Sequence, residues 1–401
     1  MAAVVVLALA AGAVAVVLRR VPPDVRGSAT TEYVRTLPRP RPHASLPWPQ
    51  WGFDARHTRA VPGRVGPPFR VDWVFRGGSL LEFPPALAYG RLYLPTFAGL
   101  LVALSPRTGD VLWRYASGRC AWASPAVASG LVFQTFLLRP PACRPDVDVH
   151  GALVAFDART GRVRWRVELP ATESSPLVAN GVVYIGDWSG DVSAFEARTG
   201  RLRWRFRADA AVKSSASLAG GRLYVATYGG HLYALDARTG RRLWRASVQP
   251  RLFRRGRFYA TPAVGHGRVY LGATDGKVYA YGAGTGRLRW SFSTGGYVYG
   301  SAALVDDLVL VGSYDGRLYA LDAATGRPRW SFAAGGSISG SPTIVGNVVY
   351  VSSLAERTFA LDVHTGQQLW TFPDGKYSAG VADSAHFYLV GYGRLFALAP
   401  S

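Results

Sequence analysis

Short apolar runs separated by glycine turns repeat along this chain. From Ser174 to Arg207 it reads PLVA, a turn at Asn180-Gly181, VVYIG, a turn at Trp188-Ser189-Gly190, DVSAFEA, a turn at Thr199-Gly200, and RLRWRF. Each run is too short for a stable helix and is rich in β-branched and aromatic residues. Asn-Gly between two such runs is a strong hairpin signal, because the turn needs positive φ. The stretch predicts four antiparallel strands.

The unit recurs. ALSPRTGDVLW, AFDARTGRVRW, AFEARTGRLRW, ALDARTGRRLW, AYGAGTGRLRW, ALDAATGRPRW and ALDVHTGQQLW are seven copies of Thr-Gly-x-x-x-Trp. Their tryptophans, at 113, 165, 204, 244, 290, 330 and 370, are spaced 52, 39, 40, 46, 40 and 40 residues apart. Trp73 lies 40 residues before Trp113, in FRVDWVF. Four short strands per period of this length predict propeller blades; a leucine-rich or ankyrin solenoid would need helical periodicity and a shorter repeat. After Trp370 only three strands follow, in SAGVADS, HFYLVGY and RLFALA, and Phe69–Phe75 supplies the missing fourth. The expected fold is all-β: an eight-bladed propeller of four-stranded antiparallel blades over 48–401, its last blade closed by both chain ends so that no sheet edge is orphaned.

The motif Ala-x-Asp-x-x-Thr-Gly-x-x-x-Trp resembles the tryptophan-docking motif of PQQ-like (quinoprotein-type) β-propellers, and WPQWGFDARHTRAVP resembles their N-terminal approach. The likeness runs from about residue 48 to 399 and is nearest to the BamB type of outer-membrane assembly propeller. It implies that Trp73, Trp113, Trp165, Trp204, Trp244, Trp290, Trp330 and Trp370 pack between neighbouring blades. It also implies that Gly109, Gly161, Gly200, Gly240, Gly286, Gly326 and Gly366 shape the turn between third and fourth strands. Ser105, Glu196 and Gly282 stand where the motif has Asp, so those turns are expected to lose or alter a side-chain cap.

Ahead of the repeats, Ala2–Leu18 is an uncharged apolar run, short for a membrane span and long for a signal-peptide core. No Ala-x-Ala pattern follows it and Arg19 and Arg20 come next, so residues 1–18 are expected to be an uncleaved helical anchor. The two arginines sit awkwardly with the positive-inside rule for a propeller outside the cytoplasm. Residues 19–47, rich in Pro and Arg, are expected to be an extended, semi-rigid tether.

Charge and cysteine content refine this picture. Lys and Arg outnumber Asp and Glu by 46 to 25, a net +21. An arginine-rich solvated surface accounts for most of that; an anionic membrane or wall polymer is the partner it would suit, and no specific nucleic-acid motif accompanies it. Ten-residue windows starting at the seven docking motifs hold 18 Arg against six acids, so the blades would array a basic rim on one face, including Arg162, Arg201, Arg241 and Arg242. Cys120 precedes the first strand of its blade and Cys143 lies in that blade's second-to-third-strand loop. In a propeller both positions face the same side, so a disulfide is expected, in an oxidising compartment outside the cytoplasm.

No catalytic set emerges. The seven histidines lack metal-ligand spacing; Asp275 and Asp315 read as turn residues, and Asp383 with His386 as a loop cap beside a surface histidine. Function is therefore sought on the face that gathers the loops before first strands and between second and third strands. Arg251, Arg254, Arg255 and Arg257, beside Phe253 and Tyr259, lie in one expanded loop there. Trp188, Lys213, Tyr228, Tyr297, Tyr299 and Arg357 are expected near the axial funnel. The leading expectation is a membrane-anchored, extracytoplasmic, monomeric scaffold that binds an envelope protein or peptide, with no cofactor and no metal. A quinoprotein oxidoreductase using PQQ and Ca²⁺, degenerate or active, is the alternative that the resemblance implies, and a sensor domain is a third.

Overall fold

The computed structural model describes residues 22–37, 47–137, 150–250 and 256–401. In each repeat the first three strands are buried on both faces, as in Val182–Gly186. The fourth mostly alternates exposed and half-buried residues, as in Leu202–Arg207; the largest departure is in blade 5, where Trp290 and Ser291 are buried. Strands with this gradient stack face to face around an axis, wetted only at the outer edge. Eight sheets result: blades 1 to 7 span 86–116, 126–170, 177–207, 217–247, 263–293, 303–333 and 343–372. Blade 8 combines strands within 381–400 with Phe69–Arg76, which pairs antiparallel with Arg394–Pro400 and sets Trp73 opposite Ala397. The closure predicted from the tryptophan count is the one observed. The apolar run at 1–18 lies outside the described residues, and no described helix is long and apolar enough to cross a membrane.

Each docking tryptophan reaches the next blade. Trp204 Nε1 donates to the Ala237 carbonyl at 3.1 Å, and the same geometry joins Trp73 to Pro106, Trp113 to Ala158, Trp165 to Ala197, Trp244 to Ala283, Trp290 to Ala323 and Trp330 to Val363. The indole face lies on the turn glycine. A Cβ added at Gly240, whose φ is +74°, would stand 2.5 Å from Trp204 Cε3, so positive φ and close approach both demand glycine there. Trp370 has no such turn ahead of it, because the third and fourth strands of blade 8 come from opposite ends of the sequence. It meets Phe69 edge-on at 5.2 Å instead. His386 belongs to this seam rather than to the surface: it is buried, and its Nε2 lies 2.9 Å from Asp72 Oδ2 on the N-terminal strand. Asp383 does cap its loop, accepting from the amides of Ala385 and His386.

The three altered turns are capped differently. Ser105 Oγ accepts from the Thr108 amide at 3.3 Å, and Glu196 Oε2 from Thr199 Oγ1 at 3.1 Å. At Gly282 the missing carboxylate arrives from far away in sequence: Glu32 accepts from Thr285 Oγ1 at 2.9 Å and from Arg289. Residues 22–37 are thus no free tether but a strap along blades 5 and 6. Arg268, fully buried, donates to the carbonyls of Ser28, Thr31 and Glu32 in the strap and of Ala323 and Ala324 in blade 6. Lys277, 1% exposed, donates to the carbonyls of Pro22 and Pro23, to Asp24 Oδ1 and to Gln249 Oε1. Leu37 joins the core between blades 5 and 6. Buried cations need such partners, which is why polar backbone from the strap is held here.

Candidate functional site

The axis of the ring is closed by the N-terminal approach. Residues 48–61 thread across the innermost strands and bond to seven blades in turn. Trp48 pairs with Leu87, Pro49 accepts from Val127, Gln50 Oε1 from Val178, Ala55 from Leu218, Arg56 from Val264, Thr58 from Leu304, and Arg59 from Ile344. Ala60–Val61 then runs parallel to blade 7. Gly52, Phe53, His57 and Arg59 all have positive φ, so the plug is a tight coil rather than a strand. Gln50, His57, Thr58 and Arg59 in it are buried. Desolvation lowers His57 to about 3 and Arg59 to about 9. The neutral His57 ring meets the Ala216 carbonyl at 2.9 Å, and the Arg59 guanidinium bonds the Pro342 carbonyl and stacks on Trp51.

Above the plug a belt of hydroxyls ties neighbouring blades. The amide of Ser124 donates to Ser175 Oγ, Ser175 to Ser215, Ser215 to Thr261, Thr261 to Ser301 and Ser301 to Ser341, at 2.8–3.2 Å. The residue two places before five of the six belt positions lines a funnel, joined there by the corresponding residues of blades 1 and 8. Glu82, Glu173, Lys213, Tyr259, Tyr299, Ser339 and Tyr377 all line it, from blades 1, 3, 4, 5, 6, 7 and 8. Tyr228 and Tyr314, from second-to-third-strand loops, and Tyr297 at the mouth complete the wall; Trp51 of the plug and Phe83 join the lining. The cavity is about 510 Å³. Its tyrosines form a chain of edge-to-face contacts, Tyr228 to Tyr259 to Tyr299 to Tyr314, with centroids 5.0–6.3 Å apart.

Two carboxylates differ in this wall. Glu173 accepts from Lys213 Nζ at 3.1 Å and from Tyr259 Oη at 2.5 Å. Burial, then the Glu173 charge, drive the Tyr259 phenol well above its usual range. Glu82 makes no hydrogen bond or ion pair to any described residue; desolvation, with Glu173 nearby, raises it to about 7. Lys213 occupies a seat of its own, its ammonium 4.4 Å from the Trp188 ring and 5.1 Å from Tyr228. Arg257 stacks over Tyr228 at 4.6 Å.

The structure thus brings Trp188, Lys213, Tyr228, Arg257, Tyr297 and Tyr299 together at the funnel. Arg357 starts the third strand of blade 7, exposed, and is not among the lining residues. Arg251, Arg254, Arg255 and Cys143 lie outside the described residues; Cys120 is fully buried and not a free thiol. Sequence reasoning missed Glu82, Glu173, Tyr314, Tyr377 and Trp51 as site residues. A signal for Glu173 was present: a Ser or Thr recurs two residues before each inner strand in blades 2–7, and the position two before it lines the funnel in blades 3–7; Glu82 precedes Pro84 and carried no such signal. Among the described residues no three His, Cys, Asp or Glu converge as metal ligands.

Solved structures share this architecture. BamB from Moraxella catarrhalis aligns over 83% of this chain and 98% of its own, at 19% identity and TM-score 0.67. The quinohemoprotein alcohol dehydrogenase of Comamonas testosteroni covers 89% of this chain and 81% of its own, at 15% identity and TM-score 0.74. These likenesses establish the fold alone. The dehydrogenase subunit of a quinone alcohol dehydrogenase from Gluconacetobacter polyoxogenes is 29% identical over 145 residues, 33% of this chain; the chain matches 17% of that relative's length. The model of the family described as outer membrane protein assembly factor BamB matches residues 149–296 and 293–400, more than half of the sequence, and with the docking geometry above this chain belongs to that PQQ-like propeller family.

Proposed function

We propose that this chain is a non-enzymatic binding propeller of the cell envelope, held to a membrane through residues 1–18, with the funnel face as its partner surface. The observation that carries the reading is the funnel itself. It is a concave site of about 510 Å³, walled by aromatic side chains and closed at its floor by the chain's own plug. The propeller acts as a monomer outside the cytoplasm, where Cys120 pairs with Cys143 and staples the blade 2 loop. Photo-crosslinking residues placed at Tyr297 in the funnel mouth and, as a control, at Leu243 on the outer edge of blade 4 test the reading in cells. Adducts of one size from the mouth alone support it; equal adducts from both positions, or none from the mouth, refute it.

A second contact surface is the basic rim. Several of its arginines already meet an acid, as Arg164 meets Asp157 and Arg201 meets Glu196, yet the charge surplus there persists. It supplies a weak, salt-sensitive attraction to anionic headgroups or wall polymers. Vesicle binding that survives neutralisation of Arg162, Arg201, Arg241 and Arg242 together would remove this contact.

The likeness to quinone-dependent dehydrogenases raises a second reading, an oxidoreductase built on PQQ and Ca²⁺. The funnel residues do not fit that group. PQQ is a tricarboxylate, whereas the wall presents the unpaired Glu82, and its ammonium, Lys213, is committed to Glu173. No further acid or imidazole converges with these two to hold a divalent ion among the described residues. No reaction step is therefore assigned to the funnel. Added PQQ with Ca²⁺ is expected to leave the protein's absorbance and dye reduction with alcohols unchanged.

A further inference from the structure

We propose that the funnel takes a cation, the guanidinium or ammonium of a basic side chain on a partner peptide, seated between Glu82 and Glu173. The inference deepens the binding reading of the funnel and rests on it.

The wall already shows what it selects. Its one internal ammonium, Lys213, is held by two aromatic faces, Trp188 and Tyr228, and by the Glu173 carboxylate. Glu82 lines the same funnel and has no cation paired with it among the described residues. It lies near Glu173, and the groups that feel its charge are the phenols of Tyr259 and Tyr377. Trp51 and Phe83, edge to face at 6.0 Å, line the floor beside it. A carboxylate left half-buried among rings without a hydrogen bond is destabilised unless a cation or a proton reaches it. Aromatic faces attract a desolvated cation and offer an anion nothing. The Lys213 ammonium does not discharge Glu82, because it is bound to Glu173. The loops of blades 1, 3, 5 and 8 therefore leave one negative seat, open toward the mouth, in a protein whose net charge is +21. An incoming basic side chain is repelled by the net charge of the protein and drawn to this seat, which gives position-specific recognition rather than general attraction.

Protonation competes with the cation for Glu82. With the carboxyl near pH 7, nine-tenths of it is ionised at pH 8 and about one-tenth at pH 6, so cation affinity falls about tenfold between them. The other groups facing the seat are Glu173, paired with Lys213, and two phenols, Tyr259 and Tyr377, which stay neutral over that range.

The test uses the full-length protein and two isosteric probes whose charge does not vary between pH 6 and 8, n-butylguanidinium and its neutral counterpart n-butylurea, by titration calorimetry. Expected at pH 8 is at least tenfold tighter binding of the guanidinium, a drop of about tenfold at pH 6, and loss of both the preference and the pH dependence in Glu82→Gln. Tyr377→Leu, which leaves the charge in place, is expected to weaken the guanidinium about threefold to tenfold with its pH dependence intact. A capped Gly-Arg-Gly peptide that binds more tightly than n-butylguanidinium identifies a partner side chain as the source; one that binds no better identifies a free small cation. Equal affinity for guanidinium and urea, or a preference unchanged in Glu82→Gln, overturns the inference. In that event, adducts from Tyr297 would leave the partner surface standing, whereas their absence would remove both.

Discussion

Gly240→Ala and Gly221→Ala together separate the docking contact from backbone strain, because both glycines sit in blade 4 with nearly the same φ, +74° and +72°. At Gly221 a Cβ meets nothing within 4 Å, so alanine incurs only the left-handed conformation, about 1–2 kcal/mol. At Gly240 the same methyl would stand 2.5 Å from Trp204 Cε3 and 2.7 Å from Cδ2. The indole has little freedom to retreat. Its Nε1 is bonded to Ala237 and its ring tilts against Tyr184 with centroids 5.9 Å apart. Overpacking adds about 1–3 kcal/mol, and a broken indole hydrogen bond about 1 more. The gain from restricting the unfolded chain is the same for both variants and cancels in their difference. Gly240→Ala is therefore expected to lose about 3–6 kcal/mol and Gly221→Ala about 1–2, read from urea midpoints at unchanged m-value. Equal losses would refute the view that the motif glycine is required by the indole as well as by the turn.

Other expectations follow from the plug, the strap and the belt. His57 is held neutral, with a folded value near 3 against an ordinary 6.5, so its contribution is complete above pH 6.5 and is lost as pH falls. The loss is about 1.4 kcal/mol per pH unit below 6.5, or about 2 kcal/mol at pH 5, and His57→Phe should flatten that part of the stability-against-pH curve while lowering it at every pH. A chain starting at residue 38 strands Arg268 and Lys277 without their strap acceptors and is expected to be about 3–5 kcal/mol less stable than one starting at residue 22. Lys277→Met should recover part of that loss in the shorter chain and none in the longer, as measured by thermal unfolding. Ser301→Ala leaves the buried Thr261 amide without its acceptor and should destabilise by about 1–3 kcal/mol, whereas Ser301→Thr should restore most of it.

The sequence by itself determined the ring. Periodic Thr-Gly-x-x-x-Trp, alternating runs and the spare strand at Phe69–Arg76 are local signals, and local signals survive in one dimension because each blade repeats the same chain path. Eight blades and their closure were legible for that reason, and so was the face on which Lys213, Tyr228, Tyr297 and Tyr299 meet. Only the tertiary structure decided what the non-repeating residues do. WPQWGFDARHTRAVP looked like a lead-in, yet it plugs the axis, since its partners are single backbone groups contributed by seven different blades. Glu32 caps the turn at Gly282 from 250 residues away, and Arg268 and Lys277, which no sequence motif marks, are buried under the strap. Glu82 and Glu173 are 91 positions apart and become neighbours only because blades 1 and 3 converge on one axis. Their charges interact through a shared, poorly solvated cavity, a property that arises once the ring has closed.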